Sequence, residues 1–307
     1  MTWFKQKNLS VVAGQKIYKK TEGNKIISDL ILSKESFLVS RFGTTELSVV
    51  CYFLRNEKQS KVTFPNLLKE NIKVLSGFYP SDNQGLNDFS KLFLEKVREV
   101  DLLGVRWEDH DHYFFSDEQY LLENTKIKPM VCGIESISTP FCFSKNWLQC
   151  LKGKKILIIH PFKKSILTQL SCKEKWNSRV FFPDSIVKIL KPVQSIALEE
   201  TVESFETWFI ALDFMCKEIK KIDFDIALIG AGAYGLFLAE YCKQIGKGAV
   251  HVGGALQLYF GIKGKRWTER KSPDLLPHGI INKNWIWPDE TEKPKGAAKV
   301  EDSCYWK

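Results

Sequence analysis

The sequence contains one glycine-rich turn of the kind that binds phosphate groups. The apolar run Ile226–Ile229 leads into Gly-Ala-Gly-Ala-Tyr-Gly at positions 230–235, and a helical pattern follows. Glycines at such a turn let the backbone approach a phosphate, and the first turn of the helix presents free N–H groups and positive potential. Gly230, Gly232 and Tyr234 are therefore candidate ligand-binding residues.

The same turn could belong to a dinucleotide site or serve packing alone. Dinucleotide-binding sites carry an acidic residue about 20 positions further on, at the end of the next strand, where it binds the ribose hydroxyls. The corresponding segment, Val-His-Val-Gly-Gly at 250–254, contains no acid. No nicotinamide cofactor such as NAD is therefore expected. A turn whose glycines serve only close packing of helix on strand stays an open alternative.

A second group of glycines and cations follows this turn. Gly253 and Gly254 form a glycine pair, and Lys265 and Arg266 lie in Gly-Ile-Lys-Gly-Lys-Arg-Trp at 261–267. The segment is not a Walker P-loop, because arginine rather than serine or threonine follows the lysine. Cations on a loop flanked by glycines can neutralise a diphosphate, and arginine adds forked donors. The alternative is a solvated basic loop without a ligand.

Polar residues also follow an earlier apolar strand. The run Phe37–Arg41 leads into Gly43, Thr44 and Glu46 at the start of a helical pattern. Open α/β sheets bind ligands at the carboxyl ends of their strands, and Arg41 and Glu46 are predicted at such an end. A glutamate in the first turn of a helix is also a favourable partner of the helix dipole, which is the structural alternative for Glu46.

A histidine ends another apolar strand, and a short acidic segment has the composition of a metal site. His160 follows Lys-Ile-Leu-Ile-Ile at 155–159 and is a candidate acid or base together with Glu46. A single histidine in this position is more often a hydrogen-bonded structural residue. The segment Glu-Asp-His-Asp-His at 108–112 contains metal-ligating types, but adjacent loop residues rarely converge on one ion.

Short apolar runs alternate with longer helical patterns, which is typical of βαβ units. Strands are predicted at Phe37–Arg41, Leu102–Val105, Lys155–His160, Val193–Ala197, Asp225–Ile229 and Ala249–Val252. Helices are predicted at about 45–55, 65–76, 86–99, 139–151, 164–176, 203–221 and 234–245. The fold class is therefore α/β, with a doubly wound, Rossmann-like and mostly parallel sheet and helices on both faces.

The chain is predicted to consist of two α/β halves that could form one continuous sheet. Residues 1–152 contain the Arg-Phe-Gly segment at 41–43, and residues 153–307 contain the glycine-rich turn. Regular periodicity fades after Gly261, and four prolines follow, at positions 273, 277, 288 and 294. This predicts a long C-terminal wrap over the domain, held by buried aromatic side chains.

The composition is that of a globular protein, with 44% hydrophobic and 26% charged residues. A formal net charge of +9 favours an anionic ligand or the acidic inner face of the cytoplasmic membrane. No nucleic-acid motif is present, so no nucleic-acid partner is expected. The eight cysteines form no C-x-x-C pair, and no signal peptide or membrane-spanning stretch is visible. These features predict a cytoplasmic protein with reduced cysteines.

Four segments together resemble the GT-D and GT-D-like glycosyltransferases encoded with bacterial surface-polysaccharide genes. They are Arg-Phe-Gly-Thr-Thr-Glu at 41–46, His-Pro-Phe at 160–162, residues 224–235 and residues 251–267. The resemblance implies a transferase that moves a sugar from a nucleotide-diphosphate donor to a glycan or lipid-linked glycan acceptor. It implies contacts to the nucleotide sugar from the candidate residues named above, and Mn²⁺ or Mg²⁺ at Glu46.

Thr44 departs from the family pattern. Characterised members read Arg-Phe-Gly-Asp-any-Glu, and the two carboxylates serve the divalent metal and the sugar nucleotide. Threonine brings no negative charge and is a poor substitute ligand for a hard cation. A non-catalytic protein of the same fold that binds a nucleotide sugar or a glycan is therefore the main alternative. A Rossmann oxidoreductase or methyltransferase is a more distant one.

The candidate residues are widely spaced along the chain. We nevertheless expect Arg41, Glu46, Gly230, Gly253 and Arg266 to meet in one cleft, because a parallel sheet brings the carboxyl ends of its strands to one edge.

Overall fold

The computed structural model describes residues 9–106, 112–172, 184–197, 204–269, 276 and 279–307. Its strands are β1 Val11–Val12, β2 Gln15–Tyr18, β3 Phe37–Arg41, β4 Leu102–Val105, β5 Met130–Gly133, β6 Lys155–Ile159, β7 Ile186–Leu190, β8 Ile226–Ile229 and β9 Gly248–His251. In these ranges they form one nine-stranded sheet in the order β1-β2-β5-β4-β3-β9-β8-β6-β7. Every neighbouring pair is parallel except β1 with β2.

The inner strands are buried on both faces, which explains their nearly continuous aliphatic sequences. Along β6, Leu157 and Ile159 contribute to the core on what we call the first face of the sheet. Ile156 and Ile158 contribute to the core on the second face. The same alternation in β3 and β8 produces two separate cores, so each face must be covered by other elements.

The helices are α1 Thr21–Ser33, α2 Thr44–Asn56, α3 Asn66–Asn71, α4 Asn83–Lys96, α5 His112–Thr125, α6 Glu135–Ser138, α7 Lys163–Ser171, α8 Trp208–Lys220, α9 Gly235–Gln244 and α10 Lys265–Thr268. Helices α2, α4, α8 and α9 pack on the first face. Helices α1 and α7 pack on the second face together with the C-terminal segment. The predicted doubly wound α/β fold is confirmed. None of the helices among the described residues combines the length and apolar character that a membrane span requires.

The two halves of the chain meet at β3 and β9. β3 and the strands β4, β5 and β2 beyond it form one half of the sheet, and β9 with β8, β6 and β7 forms the other. The two halves are joined where Val39 of β3 pairs with Val250 of β9. On its other side, Val250 pairs with Leu228 of β8. Such a change of direction in a doubly wound sheet opens a crevice at the carboxyl ends of the strands. Arg41 at the end of β3, His251 at the end of β9 and Gly230 after β8 lie at this crevice.

The C-terminal residues wrap over the second face, as predicted. Trp285 and Trp306 are each only 2% exposed and belong to the core there. Trp306 Nε1 donates a hydrogen bond to the carbonyl oxygen of Glu292 at 3.1 Å, and Ile262 forms a parallel bridge with Ile286. Buried aromatic area therefore holds a segment that has little regular structure.

Two predicted elements are wrong. The first is the strand predicted at Val193–Ala197, which is irregular; the nearest strand is β7, which ends at Leu190. In the irregular segment, Ser195 Oγ donates a hydrogen bond to the carbonyl oxygen of Gly77, and Ala197 has a φ of 61°. The predicted helix at 139–151 is two 3₁₀ turns, Pro140–Cys142 and Trp147–Leu151. The Asn146 side chain caps the second turn, accepting from Leu148 N–H at 3.1 Å. Local hydrogen bonds of such side chains compete with helix and strand.

Candidate functional site

Arg41 is the last residue of β3 and lies at the crevice between the two halves of the sheet. A Cβ atom built on Gly253 would lie 3.5 Å from Arg41 Cδ and 3.6 Å from Nη1. Arg41 as a whole is half-buried, and its guanidinium makes no hydrogen bond or ion pair with any described residue. Burial and the charge of Arg106 lower the pKa of Arg41 to about 10, against the opposing effects of Glu46, Tyr305 and Glu118. Arg41 is thus a protonated, desolvated cation to which an anion can bind.

A second arginine beside it is already paired. Arg106 follows β4, and its Nη1 lies 2.7 Å from Glu118 Oε1, while its backbone N–H donates to Oε2 at 2.9 Å. Its Nη2 donates to the carbonyl oxygen of Phe42 at 3.3 Å. Burial raises the pKa of Glu118 to about 7, and Arg106 opposes this rise. The pair therefore fixes α5 to the end of β4 and leaves Arg41, of these two arginines, available for a ligand.

The two glycine turns and His160 are in direct contact. A Cβ atom on Gly230 would lie 2.6 Å from the carbonyl oxygen of Gly253 and 2.9 Å from His160 Cδ2. His160 is 2% exposed, and its Nδ1 accepts the N–H of Phe162 at 3.0 Å, which places the ring hydrogen on Nε2. Burial lowers the pKa of His160 to about 3, so the ring is neutral and weakly basic. Its role as a catalytic base stays a prediction.

Glu46, Gly43 and Thr44 lie at the start of α2, next to Arg41. Gly43 is the N-cap of the helix and Thr44 its first residue. The Glu46 carboxylate packs against Gly43 and accepts a hydrogen bond from Thr45 Oγ1 at 2.9 Å, and Thr45 also contacts Ser76. This carboxylate opposes the lowering of the Arg41 pKa by burial and Arg106, as expected for a neighbouring negative charge.

The residues described do not by themselves form a metal site. Within the described ranges no three histidine, cysteine, aspartate or glutamate side chains come together in a group that could hold a metal ion. Glu46 is a single carboxylate, and Thr44 supplies no charge. The acidic residues at 108–111 lie outside the described residues.

Gly232 and Tyr234 have packing roles in the glycine-rich turn. Gly232 has a φ of 53°, and a Cβ atom there would lie 2.6 Å from the carbonyl oxygen of Ser76. Tyr234 is 1% exposed and stacks on Trp208 with ring centroids 4.9 Å apart. Close packing therefore accounts for the turn at these two positions, and the Tyr234 ring belongs to the core rather than to the cleft surface.

The second basic segment reaches the cleft through the C-terminal residues. Tyr305 Oη would lie 2.8 Å from a Cβ atom on Gly254. Arg266 stacks over the Tyr305 ring at 4.6 Å and pairs with Glu301 at 2.9 Å. Burial lowers the pKa of Arg266. The opposing effects of Tyr305, Cys304 and Glu301 are larger, so the pKa lies above its ordinary value. Lys265 begins α10, is half-buried and makes no ion pair with a described residue.

The structure thus brings most of the candidate residues to one edge of the sheet, and it adds four that the sequence analysis did not select: Arg106, Glu118, His251 and Tyr305. Arg106 could have been found, because it lies at the carboxyl end of β4 as Arg41 lies at that of β3. His251 Nδ1 lies 3.1 Å from Ser40 Oγ, and burial lowers its pKa to about 3. Glu118 and Tyr305 have no local sequence signal, because their partners are distant in the fold.

The buried histidines predict a loss of stability in acid. Both have folded-state pKa values near 3, below the ordinary value of 6.5, so the unfolded chain binds protons first as the pH falls from 6.5. Each histidine should cost about 1.4 kcal/mol of unfolding free energy per pH unit in this window. Glu118 acts in the opposite sense, because its folded-state pKa is raised. Urea titrations of wild type and His160→Asn between pH 6.5 and 4 isolate one histidine: the difference in unfolding free energy should shrink as the pH falls. A constant difference would contradict a buried neutral His160.

The fold is that of a doubly wound α/β protein. Its candidate site is cationic and lies where the direction of the sheet changes, between β3 and β9. The chain belongs to the family described as the GT-D fold-like domain, whose model matches residues 24–259. The resemblance noted in the sequence is therefore confirmed. Comparison with curated proteins gave no match.

Three solved structures show similarity at low identity. A selenomethionine-substituted domain of unknown function 1792 is 14% identical, with 79% of each chain covered and a TM-score of 0.48. A structure of this domain described as having a distinct glycosyltransferase fold is 14% identical, with 80% of this chain and 82% of that chain covered and a TM-score of 0.47. A protein described as a new glycosyltransferase from Streptococcus sanguinis is 13% identical, with 90% and 96% covered and a TM-score of 0.44.

Proposed function

We propose that this protein is a glycosyltransferase that transfers a sugar from a nucleoside-diphosphate donor. The observation that carries the proposal is Arg41, a desolvated cation without an ion-pair partner among the described residues, at the switch point of the sheet. Departure of a nucleoside diphosphate develops negative charge, and a preorganised cation at that position stabilises it. Membership of the GT-D fold-like family supports the same reaction class.

The neighbouring groups fit this chemistry. The diphosphate would lie at the carboxyl ends of β3 and β9, in contact with the Arg41 guanidinium where it packs beside Gly253. Glu46 is the candidate for accepting the proton of the acceptor hydroxyl, since a carboxylate can act as a general base. His160 presents a neutral ring with hydrogen on Nε2 and suits hydrogen-bond donation better than proton acceptance.

The acceptor and setting belong to the proposal as well. We propose a glycan or lipid-linked glycan acceptor in surface-polysaccharide assembly at the cytoplasmic side of the membrane. The net charge of +9 supports contact with an acidic membrane surface, where lipid-linked acceptors lie. Binding of the protein to vesicles containing anionic lipid, and its release by salt, would measure this contact.

A non-catalytic nucleotide-sugar-binding protein is the second candidate. It is favoured by the departure at Thr44 and by the lack of a three-ligand metal group among the described residues. The two functions share a site and differ in turnover only.

A ligand panel tests the proposal. Thermal shift and calorimetry would be run with the diphosphates and sugar nucleotides of uridine, thymidine, guanosine and adenosine, and with NAD and S-adenosylmethionine as controls. Binding of a nucleoside diphosphate with release of sugar from its donor would support the transferase. Binding without any release, even with acceptor extracts, would favour the second candidate. No binding of any diphosphate would reject both.

Metal dependence is tested at Thr44. If Arg41 stabilises the leaving group without a metal ion, chelator should leave donor hydrolysis unchanged. Thr44→Asp should then weaken diphosphate binding about tenfold through repulsion. Thr44→Asn is the matched control, because it has the same shape without the charge. If hydrolysis stops with chelator and Thr44→Asp tightens Mn²⁺ binding, a metal-dependent reaction would replace this scheme.

A further inference from the structure

The C-terminal segment places an aromatic residue in the cleft. The GT-D fold-like family match ends at residue 259, and Tyr305 lies well beyond it. The chain nevertheless returns to the glycine pair, where Tyr305 Oη would lie 2.8 Å from a Cβ atom on Gly254. Gly254 therefore has no room for a side chain beside this tyrosine.

Backbone hydrogen bonds hold Tyr305 in this position. The carbonyl oxygen of Cys304 accepts from Arg266 N–H at 2.9 Å, and that of Tyr305 accepts from Gln257 Nε2 at 3.3 Å. Just before them, Glu301, Asp302 and Ser303 have φ values of 45°, 55° and 62°. Non-glycine residues other than asparagine and aspartate rarely adopt this left-handed conformation. The two backbone hydrogen bonds hold the main chain at Tyr305 in place beside the glycine pair.

The ring is oriented, but its hydroxyl group is available. Arg266 lies over the ring at 4.6 Å, and its Nη2 pairs with Glu301 Oε1 at 2.9 Å. The Tyr305 hydroxyl makes no hydrogen bond with any described residue. Burial raises the pKa of Tyr305, while Arg266 and Arg41 oppose this rise, so the group is a neutral O–H donor at pH 7. The influence of Arg41 on this pKa also shows that the two side chains share one neighbourhood.

We propose that Tyr305 is a ligand-binding residue that donates a hydrogen bond to the diphosphate held by Arg41, with Arg266 as the positioning residue for its ring. Arg41 approaches Gly253 and Tyr305 approaches Gly254, so the two donors flank consecutive residues of one turn. An anion bound to Arg41 at this turn would therefore lie next to the residue that Tyr305 approaches. The inference rests on the proposed function, because it assigns a further contact to the same diphosphate.

The test is Tyr305→Phe, which keeps the ring and removes the hydroxyl group. Calorimetry with the tightest of the four nucleoside diphosphates should show about tenfold weaker binding, as expected for a lost hydrogen bond to a charged group. Tyr120→Phe is the matched control. Tyr120 also lies under an arginine, Arg55 at 4.4 Å, but at the opposite end of α2 from Arg41. The affinity of Tyr120→Phe for the nucleoside diphosphate should stay within about twofold of wild type.

A second variant, Gly254→Ala, changes the glycine that the Tyr305 ring packs against. Gly254→Ala places a methyl group where the Tyr305 ring lies, so it should displace the ring and weaken binding at least as much as Tyr305→Phe. Arg266→Ala should weaken binding in wild type but have little further effect in Tyr305→Phe, since it acts through the hydroxyl group. Equal effects of Arg266→Ala in both backgrounds would remove its positioning role.

The outcomes separate the role of Tyr305 from the proposed function. If wild type binds a nucleoside diphosphate and both Tyr305→Phe and Gly254→Ala bind it equally well, Tyr305 is not a ligand-binding residue and the proposed function is untouched. If wild type binds none of the four diphosphates, the proposed function fails and the role of Tyr305 fails with it.

Discussion

Arg41→Ala should weaken nucleoside-diphosphate binding by about 2–5 kcal/mol, or roughly 30-fold to several thousand-fold, because it removes a desolvated cation that would pair with the ligand. The same variant should not lower the free energy of unfolding. Burial and Arg106 already lower the pKa of Arg41, so its charged form is disfavoured in the fold, and the variant should unfold at an equal or higher urea concentration.

Two comparisons sharpen this prediction. Arg41→Lys keeps the charge but loses the forked donors, so it should recover only part of the affinity. Arg98→Ala removes an exposed arginine before β4, at the opposite edge of the sheet, and should leave binding unchanged. A loss of stability in Arg41→Ala without a loss of affinity would show that Arg41 serves the fold and not a ligand.

Glu118→Ala should lower the free energy of unfolding by about 3–5 kcal/mol, since it leaves the buried Arg106 guanidinium without its carboxylate. Glu118 is fully buried and Arg106 is 6% exposed, so water cannot replace the lost interaction. Urea denaturation at pH 8, above the raised pKa of Glu118, measures this effect with the carboxylate ionised.

The matched controls are one conservative and one double variant. Glu118→Gln keeps an oxygen that can accept from Arg106 and should lose clearly less stability than Glu118→Ala. Replacing both Arg106 and Glu118 by leucine removes the charges together and should recover much of the loss, because buried ion pairs contribute little net stability against apolar groups of similar volume. A loss below about 1 kcal/mol in Glu118→Ala would mean that solvent reaches Arg106.

The core of the sheet and one edge of the site could be inferred from the amino-acid sequence without a structure. Runs such as Ile226–Ile229 are apolar at every position, which suits a parallel strand buried on both faces. A residue at the end of such a run must lie at the carboxyl edge of the sheet, so Arg41, His160 and Gly230 could be assigned there without coordinates. Their proximity follows from this topology.

Elements that depend on distant partners escaped sequence analysis. The strand predicted at Val193–Ala197 is irregular, because Ser195 bonds to Gly77, which lies far away in the sequence. Strands β1, β2 and β5 were not predicted either. β1 has only two residues, and β2 (Gln-Lys-Ile-Tyr) and β5 (Met-Val-Cys-Gly) lack the continuous aliphatic run that marks β8. The packing reason for Gly232 likewise became visible only with the carbonyl oxygen of Ser76 beside it.

The charge state of the site was decided by tertiary structure alone. Arg41, Arg106 and Arg266 are equivalent cations in the sequence, but only the fold pairs Arg106 with Glu118 and Arg266 with Glu301. Their partners lie 12 and 35 positions away, and no local pattern relates residues at such distances. The same holds for Tyr305, which the C-terminal wrap brings to Gly254. Ion pairing and desolvation depend on three-dimensional distance, which is why Arg41 could be distinguished from the other two arginines only in the folded chain.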